Sequence, residues 1–217
     1  MKAAWYETTG VAKEVLKVGE LPTPEPSDGE VRVKITFSGV NPGDTKKRAD
    51  WVGYGMAYEK IIPHSDGAGV IDAVGAGVDE NRIGERVWIF GAQSGRPFGT
   101  AAEYCAVPEN LVVSLPDEVS DEMGAALGIP GITAHEVVLS DGAVKDKIVL
   151  IQGVLGGVGA LAAQIAHRDG ARVFGTVRSA SELENINGNV VEAAFSLDDE
   201  KLVEKIKERA PNGIDRI

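Results

Sequence analysis

The stretch Ile148–Ala166, IVLIQGVLGGVGALAAQIA, contains the feature that decides the fold. A four-residue apolar run meets a cluster of glycines, and small apolar residues follow. This order predicts a β-strand, a tight turn and an α-helix whose first turn approaches a ligand. Glycines let the backbone come close, and a helix N-terminus offers free N–H groups and the positive end of its dipole. We therefore predict a pyrophosphate site at Gly156, Gly157 and Val158.

The glycine pattern departs from the strict G-x-G-x-x-G in one place. Val154 occupies the first glycine position, while Gly156 and Gly159 hold the second and third. The placement between a strand and a helix makes this weak pattern more specific. The alternative interpretation is tight packing of the strand on the helix without a ligand.

The end of the next predicted strand bears on the choice of cofactor. About 20 residues after the glycines, an acidic side chain would hold the ribose hydroxyls of NAD. This chain has Arg178 and Ser179 instead. A cation and a hydroxyl suit the 2′-phosphate of NADP, so we predict NADPH as the cofactor. The alternative is that Arg178 is a solvated surface charge.

Composition narrows the class of protein. The chain has 217 residues, 43% of them hydrophobic, and a formal net charge of −11. An acidic surface repels phosphate backbones, so nucleic acid is a poor general partner. The single cysteine, Cys105, rules out an internal disulfide and a four-cysteine zinc lobe. There is no signal-peptide core and no run of about 18 apolar residues, so we expect no membrane span and a cytoplasmic protein.

The pattern of segments changes near residue 120. Residues 1–120 contain many short strands with glycine turns, which is typical of a barrel or sandwich. Within them, Glu30–Val40 alternates apolar and polar side chains like a half-buried strand. Residues 121–217 alternate strands and helices, which predicts a parallel sheet. The other predicted elements are strands 3–6, 15–18, 69–78, 84–90, 99–108, 148–152, 171–177 and 191–195, and helices from Ser120, at 130–139 with Pro130 in the first turn, at 157–168, from Ser179 and at 199–210.

The order of the strands in the second part suggests an incomplete sheet. In a doubly wound sheet of order 3-2-1-4-5-6, these strands would be 3, 2 and 1, with GIDRI (Gly213–Ile217) as a stub of strand 4. We therefore expect half of a nucleotide-binding fold. Such a chain would be a fragment of a longer protein, or one that needs a partner to cover its sheet edge.

Five further segments carry a family resemblance. Together with the glycine turn they resemble the medium-chain dehydrogenase/reductase superfamily, and its zinc-free quinone oxidoreductase (zeta-crystallin-like) branch in particular. The resemblance implies an α/β protein with a GroES-like partly open β-barrel (1–120), followed by an incomplete Rossmann domain (121–217), with the active site in the cleft between them. It also implies a homodimer for a full-length chain. The segments are SGVNPGD (38–44), PHSDGAGVIDAVGAGV (63–78), GERVW (84–88), FGTAAEY (98–104), GITA (131–134) and VLGGVG (154–159).

The positions of the catalytic zinc ligands in zinc-dependent relatives carry other residues here. Asn41 stands in place of a cysteine, Ser65–Asp66 in place of a histidine and an acid, and Ile129–Pro130 near the third ligand. A catalytic zinc needs three protein ligands. His64 lies one place off, and a lone histidine is more often a structural hydrogen-bonding residue. The resemblance therefore implies no metal.

Without a metal, the remaining simple chemistry is hydride transfer from NADPH to an electron-poor acceptor. The resemblance implies a quinone or an α,β-unsaturated carbonyl as this acceptor. It places Asn41 beside the nicotinamide and substrate, where its amide could orient either the ring ribose or the acceptor carbonyl. It also places Thr133 near the nicotinamide end of the cofactor.

Two residues depart from the family pattern. Lys46 replaces a tyrosine that faces the substrate, and it would serve as a catalytic cation near the developing oxyanion, unless it is a solvated charge. Glu182 replaces a lysine that holds the 2′-phosphate, which weakens the case for NADP. A loop with Trp51, Tyr54 and Tyr58 could wall the substrate cleft or simply pack.

Two other functions stay open from the sequence. The first is a 2-enoyl thioester reductase, which uses the same fold and cofactor, although no carrier-protein or coenzyme A site is identifiable. The second is a catalytically inert nucleotide-binding or structural fragment. Cofactor binding without turnover would favour the second.

Overall fold

A five-stranded antiparallel sheet forms the centre of the first unit, Met1–Ile129, in the computed structural model, which describes residues 1–217. A separate pair of short strands lies near the N-terminus. The elements of this unit are β1 (Lys2–Trp5), α1 (Ala12–Val15), β2 (Lys17–Glu20), β3 (Glu30–Gly39), α2 (Pro42–Arg48), β4 (Asp66–Val74), β5 (Arg86–Ile89), β6 (Tyr104–Pro108) and β7 (Val112–Ser114). The large sheet has the order β6-β3-β4-β5-β7, and β1 pairs with β2.

Strand β3 confirms the predicted alternation over most of its length. Val31 and Val33 are fully buried, and Lys34 is exposed. Successive side chains of a strand point to opposite faces, so the apolar set reaches the core. The prediction is wrong for Phe37, which is exposed. The register of β3 against β4 shifts between Ile35 and Phe37, and an extra residue there turns the following side chain to the other face.

The predicted strand at 15–18 is wrong in its first half. Val15 ends the short helix α1, and the strand β2 begins only at Lys17. The reason is packing: Val15 is buried in a small cluster with Tyr6 and Ile61. A helical turn directs this one side chain inward while the chain turns to pair β2 with β1.

A long helix, α3 (Asp121–Leu139), begins where the sequence predicts. The Ser120 hydroxyl accepts the Met123 N–H at 3.3 Å, which is the expected capping contact. The prediction of a separate helix starting at Pro130 is wrong, because Pro130 lies inside α3. Packing overrides the helix-breaking tendency: the first half of α3 buries Ala125, and the second half buries Ala134. The two units divide at Ile129/Pro130, within the helix, whereas the sequence places the boundary at its start.

The second unit, Pro130–Ile217, contains a three-stranded parallel sheet. Its elements after α3 are β8 (Ile148–Ile151), α4 (Gly157–Arg168), β9 (Arg172–Val177), β10 (Ala193–Ser196) and α5 (Leu202–Arg209). The order β10-β9-β8 confirms the predicted order 3-2-1. Arg216 forms a parallel bridge with Val149 on the other side of β8, so the predicted stub of strand 4 is also in place.

Both faces of the parallel sheet are covered. Ala162, Ala163 and Ala166 of α4 pack against one face, and Phe174 and Phe195 form a second cluster. Helix α5 covers the second cluster with Leu202 and Ile206, which lie one turn apart. Val203, which the sequence assigns to the same face, is exposed. Helices on two faces of a parallel sheet are the doubly wound α/β arrangement that the sequence predicts.

None of the helices combines the length and the hydropathy that a bilayer crossing requires.

Candidate functional site

The turn after β8 has the geometry of a phosphate-binding turn. Gly153 has a φ of 65°, a left-handed conformation that glycine adopts without strain. The Gly156 N–H donates to the Gly153 carbonyl at 2.8 Å and closes the turn. A Cβ on Gly159 would lie 2.2 Å from the same carbonyl oxygen, so only glycine allows α4 to start this close to the turn. The backbone is therefore shaped by Gly153 and Gly159.

Val154 replaces the first glycine of the G-x-G-x-x-G pattern, and a glycine on the neighbouring strand leaves room for its side chain. Val154 is buried, and a Cβ on Gly175 of β9 would lie 2.7 Å from its side chain. The valine therefore points into the core, into the space that Gly175 leaves. The predicted turn does not need a glycine at this position, because the side chain faces away from the open side of the turn.

The open side of the turn has room for a ligand. Gly156, Gly157 and Val158 are exposed, and a Cβ on Gly157 would meet nothing within 4 Å. The first backbone N–H groups of a helix have no intrahelical partner. The Ala160 N–H is the first that donates within α4, to the Gly156 carbonyl at 2.8 Å. The residues present therefore fit a pyrophosphate, which these N–H groups would bind.

At the end of β9, Arg178 is exposed but not free. Its side chain is 87% exposed, and its guanidinium donates to Glu182 Oε1 at 3.0 Å. The backbone N–H of Arg178 donates to the other carboxylate oxygen of Glu182 at 2.9 Å. Ser179 is partly exposed, and its hydroxyl contacts that of Ser181 at 2.9 Å. Glu182 thus already accepts one N–H of the guanidinium that the sequence assigns to a 2′-phosphate.

Thr133 lies on the second half of α3 and is exposed. Its hydroxyl has no hydrogen bond to another side chain in the structure. It belongs to the second unit, together with the glycine turn and Arg178. Asn41 and Lys46 belong to the first unit.

Asn41 precedes α2 and lies between two acidic side chains. The Asp44 carboxylate accepts the Asn41 backbone N–H at 2.7 Å, in a capping box at the start of α2. The side-chain amide of Asn41 donates to Asp66 Oδ2 at 2.6 Å. Asp66 is 1% exposed, and burial raises its pKa despite the hydrogen bonds from Asn41 and the Ile129 N–H. The Asn41 amide is therefore held by a buried carboxyl group.

A second polar cluster lies beside this pair. The Ser38 hydroxyl contacts His64 Nδ1 at 2.9 Å and the Thr100 hydroxyl at 2.8 Å. Burial lowers the pKa of His64. These contacts agree with the expected structural role of His64. No group of three or more His, Cys, Asp or Glu side chains is arranged to hold a metal ion.

Lys46 lines a pocket of about 410 Å³ in the first unit. Its ammonium group lies 5.4 Å from the centre of the Trp51 ring, and Trp51 is 74% exposed. The structure thus brings Lys46 together with the aromatic loop. Asn41 is not among the lining residues. The walls of the pocket also include Tyr6, Tyr54, Met56, Tyr58, Ile61 and Gln93.

The chain is similar to known proteins in sequence and in fold. A family model, Alcohol dehydrogenase GroES-like domain, matches residues 27–117. Quinone oxidoreductase of Sus scrofa is 34% identical over 210 residues, which cover 94% of this chain and 61% of the relative. The crystal structure of quinone oxidoreductase from Pseudomonas syringae pv. Tomato DC3000 superimposes with a TM-score of 0.84 at 29% identity, over 97% of this chain and 63% of that one.

Over almost its whole length, this chain is similar to quinone oxidoreductases of the medium-chain dehydrogenase/reductase superfamily.

A further superfamily structure bears on the cofactor. A mycobacterial protein complexed with NADPH superimposes with a TM-score of 0.81 at 27% identity, over 99% of this chain and 65% of that one. The likeness confirms the mixed α/β fold, with a GroES-like domain and a partial Rossmann-like sheet. The chain spans about 61% of the length of the curated quinone oxidoreductases that it matches.

Sequence reasoning missed two residues of the candidate site. The sequence identifies Asp66 only as a replaced zinc-ligand position and does not predict its contact with Asn41. An acidic residue at the head of the apolar stretch DGAGVI was the available signal, because a buried acid needs partners. Gly175 is the second residue. The available signal was a glycine inside an apolar strand, which marks a close approach of another part of the chain.

Proposed function

We propose that this chain is the greater part of a zinc-independent oxidoreductase, which transfers hydride from NADPH to a quinone or an α,β-unsaturated carbonyl. The observation that carries the proposal is the exposed N-terminus of α4 behind the Gly153–Gly159 turn. This N-terminus would bind a pyrophosphate, in a chain that is 34% identical to a quinone oxidoreductase. A homodimer of the complete protein and a cytoplasmic location belong to the same proposal.

NADPH supplies the hydride, and the residues of the chain bind and orient it. Gly157 and Val158 would bind the pyrophosphate through backbone N–H groups, and Gly156, whose own N–H closes the turn on the Gly153 carbonyl, would let the phosphate approach the backbone. Arg178 and Ser179 would bind the 2′-phosphate, for which the Arg178 guanidinium must leave Glu182. Separating Arg178 from Glu182 costs little free energy, because an exposed ion pair contributes only about 0–1 kcal/mol.

Three side chains are proposed for the reacting end of the cofactor and the acceptor. Thr133 and Asn41 would hold the nicotinamide end of the cofactor. Lys46 would lie near the oxygen of the acceptor that gains negative charge, where a cation stabilises the transition state. The pocket that Lys46 lines is walled by aromatic side chains, which suit a planar quinone ring.

Zinc independence is supported by the residue types at the three ligand positions of zinc-dependent relatives. Asn41 is engaged with Asp66 through its amide nitrogen, which is not a zinc ligand. Ser65 is buried, and its carbonyl accepts the Ala92 N–H at 2.9 Å. Ile129 and Pro130 carry no ligand atom in their side chains.

The proposal is tested by an Asn41→Ala variant of the full chain. Loss of one buried hydrogen bond costs about 1–3 kcal/mol, so we expect quinone reduction at saturating NADPH to fall by about tenfold or more. The dissociation constant of NADPH, followed by its fluorescence, should change less than turnover. Unchanged turnover would remove Asn41 from the site. Failure of the unsubstituted chain to bind NADPH at all would contradict the cofactor proposal itself.

A further inference from the structure

The buried carboxyl group of Asp66 accepts two N–H donors on the same oxygen. The Asn41 amide nitrogen lies 2.6 Å from Oδ2, and the Ile129 backbone nitrogen lies 2.8 Å from it. The other oxygen, Oδ1, is buried and has no hydrogen-bond partner. Asp66 therefore acts as an acceptor at Oδ2, toward the amide of Asn41.

Close packing keeps Asp66 in this place. A Cβ on Gly128 of α3 would lie 2.2 Å from Asp66 Oδ1, and a Cβ on Gly39 would lie 2.2 Å from the Ala125 carbonyl oxygen. Both glycines thus allow the first half of α3 to approach β3 and β4 closely. Since the Ile129 N–H comes from the helix backbone, the carboxyl group cannot turn away without leaving that donor unpaired.

This arrangement decides which end of the Asn41 amide is free. An amide has a donor group, NH2, and an acceptor, the carbonyl oxygen. An ionised carboxylate oxygen only accepts hydrogen bonds, so the NH2 group of Asn41, and not its carbonyl oxygen, faces Asp66 Oδ2. The capping box turns the other end of the side chain toward the Asp44 N–H. The carbonyl oxygen has two lone pairs, so one remains for a ligand.

The protonation state of Asp66 does not alter the orientation. Burial raises the pKa of Asp66, and the nearby Asp44 carboxylate adds to this effect. A proton taken up by the carboxyl group would go to Oδ1, because Oδ2 faces two N–H donors. In both states Oδ2 therefore stays an acceptor.

We propose that Asp66 is a positioning residue, which fixes the Asn41 amide so that Asn41 presents its carbonyl oxygen and recognises a hydrogen-bond donor. This inference rests on the proposed function, and it resolves the two roles that the sequence leaves open. Asn41 would accept a hydroxyl of the nicotinamide ribose. Asn41 would not donate to the carbonyl oxygen of the acceptor. The negative charge that develops on this oxygen would be stabilised by Lys46 or by the cofactor.

The first test needs no cofactor. In the full chain with ¹⁵N-labelled asparagine, we expect one side-chain N–H of Asn41, assigned with Asn41→Ala, to be shifted downfield and protected from exchange. Asp66→Asn keeps an oxygen at the Oδ2 position and should preserve the signal, whereas Asp66→Ala should abolish it. An ordinary, exchanging Asn41 signal in the unsubstituted chain would overturn the proposal, even if Asp66→Ala failed to fold.

The second test measures the binding of three ligands: NADPH and two analogues that lack the 2′-hydroxyl or the 3′-hydroxyl of the nicotinamide ribose. Asn41→Ala should weaken NADPH by about threefold, less than the loss of turnover, and one deoxy analogue hardly at all. Asp66→Asn should bind like the unsubstituted chain, and Asp66→Ala like Asn41→Ala. Equal losses for all three ligands would contradict recognition of a ribose hydroxyl. If NADPH does not bind the unsubstituted chain, the proposed function fails, and the amide signal still decides the orientation.

Discussion

The glycine turn of the second unit and the Asn41–Asp66 pair of the first unit both prepare hydrogen-bonding groups, but they do so by opposite means. The turn exposes backbone N–H groups, and its shape depends on side chains that are absent at Gly153 and Gly159. The pair exposes one end of a side-chain amide, and its orientation depends on a carboxyl group 25 residues away in the chain. The geometry of the turn is therefore disturbed when a side chain is added at Gly153 or Gly159. The orientation of the Asn41 amide is disturbed when the carboxyl group of Asp66 is removed.

The largest effect is expected for Gly159→Ala, which tests whether the turn works through lack of space. Its Cβ would lie 2.2 Å from the Gly153 carbonyl oxygen, so the turn must open. Overpacking costs about 1–3 kcal/mol of unfolding free energy, and we expect NADPH affinity to fall by about a hundredfold. Urea unfolding and fluorescence titration measure the two quantities.

Gly157→Ala is the matched control for stability. A Cβ at this position meets nothing within 4 Å, so the unfolding free energy should stay unchanged or rise slightly. Equal destabilisation by the two substitutions would show that the close contact at Gly159 does not shape the turn.

Arg178→Asp tests whether the neighbouring part of the cofactor site depends on a side chain, as the Asn41–Asp66 pair does. A charge-assisted hydrogen bond is worth about 1.5–3 kcal/mol, so the unsubstituted chain should prefer NADPH over NADH by about ten- to a hundredfold. An aspartate would repel the phosphate and pair with the ribose hydroxyls, so the preference should vanish or invert. Equal dissociation constants for the two cofactors in the unsubstituted chain would show that Arg178 only faces solvent.

Glu182→Gln should act in the opposite direction and more weakly. The glutamine removes the negative charge that pairs with Arg178, so a 2′-phosphate no longer competes with a carboxylate. Because an exposed ion pair contributes about 0–1 kcal/mol, NADPH affinity should rise by about fivefold at most, with NADH unchanged. Glu184→Gln, on the same 3₁₀ segment (Ala180–Asn185), is the control. A loss of NADPH affinity in Glu182→Gln would mean that Glu182 supports the site.

Lys46→Met is expected to have the smallest effect. Lys46 is exposed and lies over Trp51, so water screens its charge. We expect quinone turnover to fall by about two- to fivefold, in line with roughly 0.5–1 kcal/mol for an exposed cation. Lys60→Met removes a similar lysine, 5.6 Å from the Trp5 ring centre and outside the 410 Å³ pocket. Equal turnover in both variants would remove Lys46 from the acceptor site.

Much of the fold could be predicted from local patterns. The parallel order β10-β9-β8, the turn at Gly153–Gly159 and the Ser120 cap follow from spacing along a few neighbouring residues. These features involve periodicity, turn chemistry and missing side chains, which are visible over short stretches of chain. The misplaced elements have a different origin. Pro130 lies inside α3 and Val15 ends a helix because packing on distant segments outweighs local preference.

The sequence determined the strand, glycine turn and helix of the proposed nucleotide-binding element, and it located Asn41, Lys46 and Arg178 as candidates. Tertiary contacts decided what each of these side chains can do. Glu182 occupies Arg178, Trp51 holds Lys46, and Asp66 orients the Asn41 amide. The physical reason is that hydrogen bonds and ion pairs depend on atomic distances across the fold. The backbone N–H groups of the turn depend most on their own chain segment, because Gly153 and Gly159 set the local geometry, although Gly175 of β9 leaves the space for Val154.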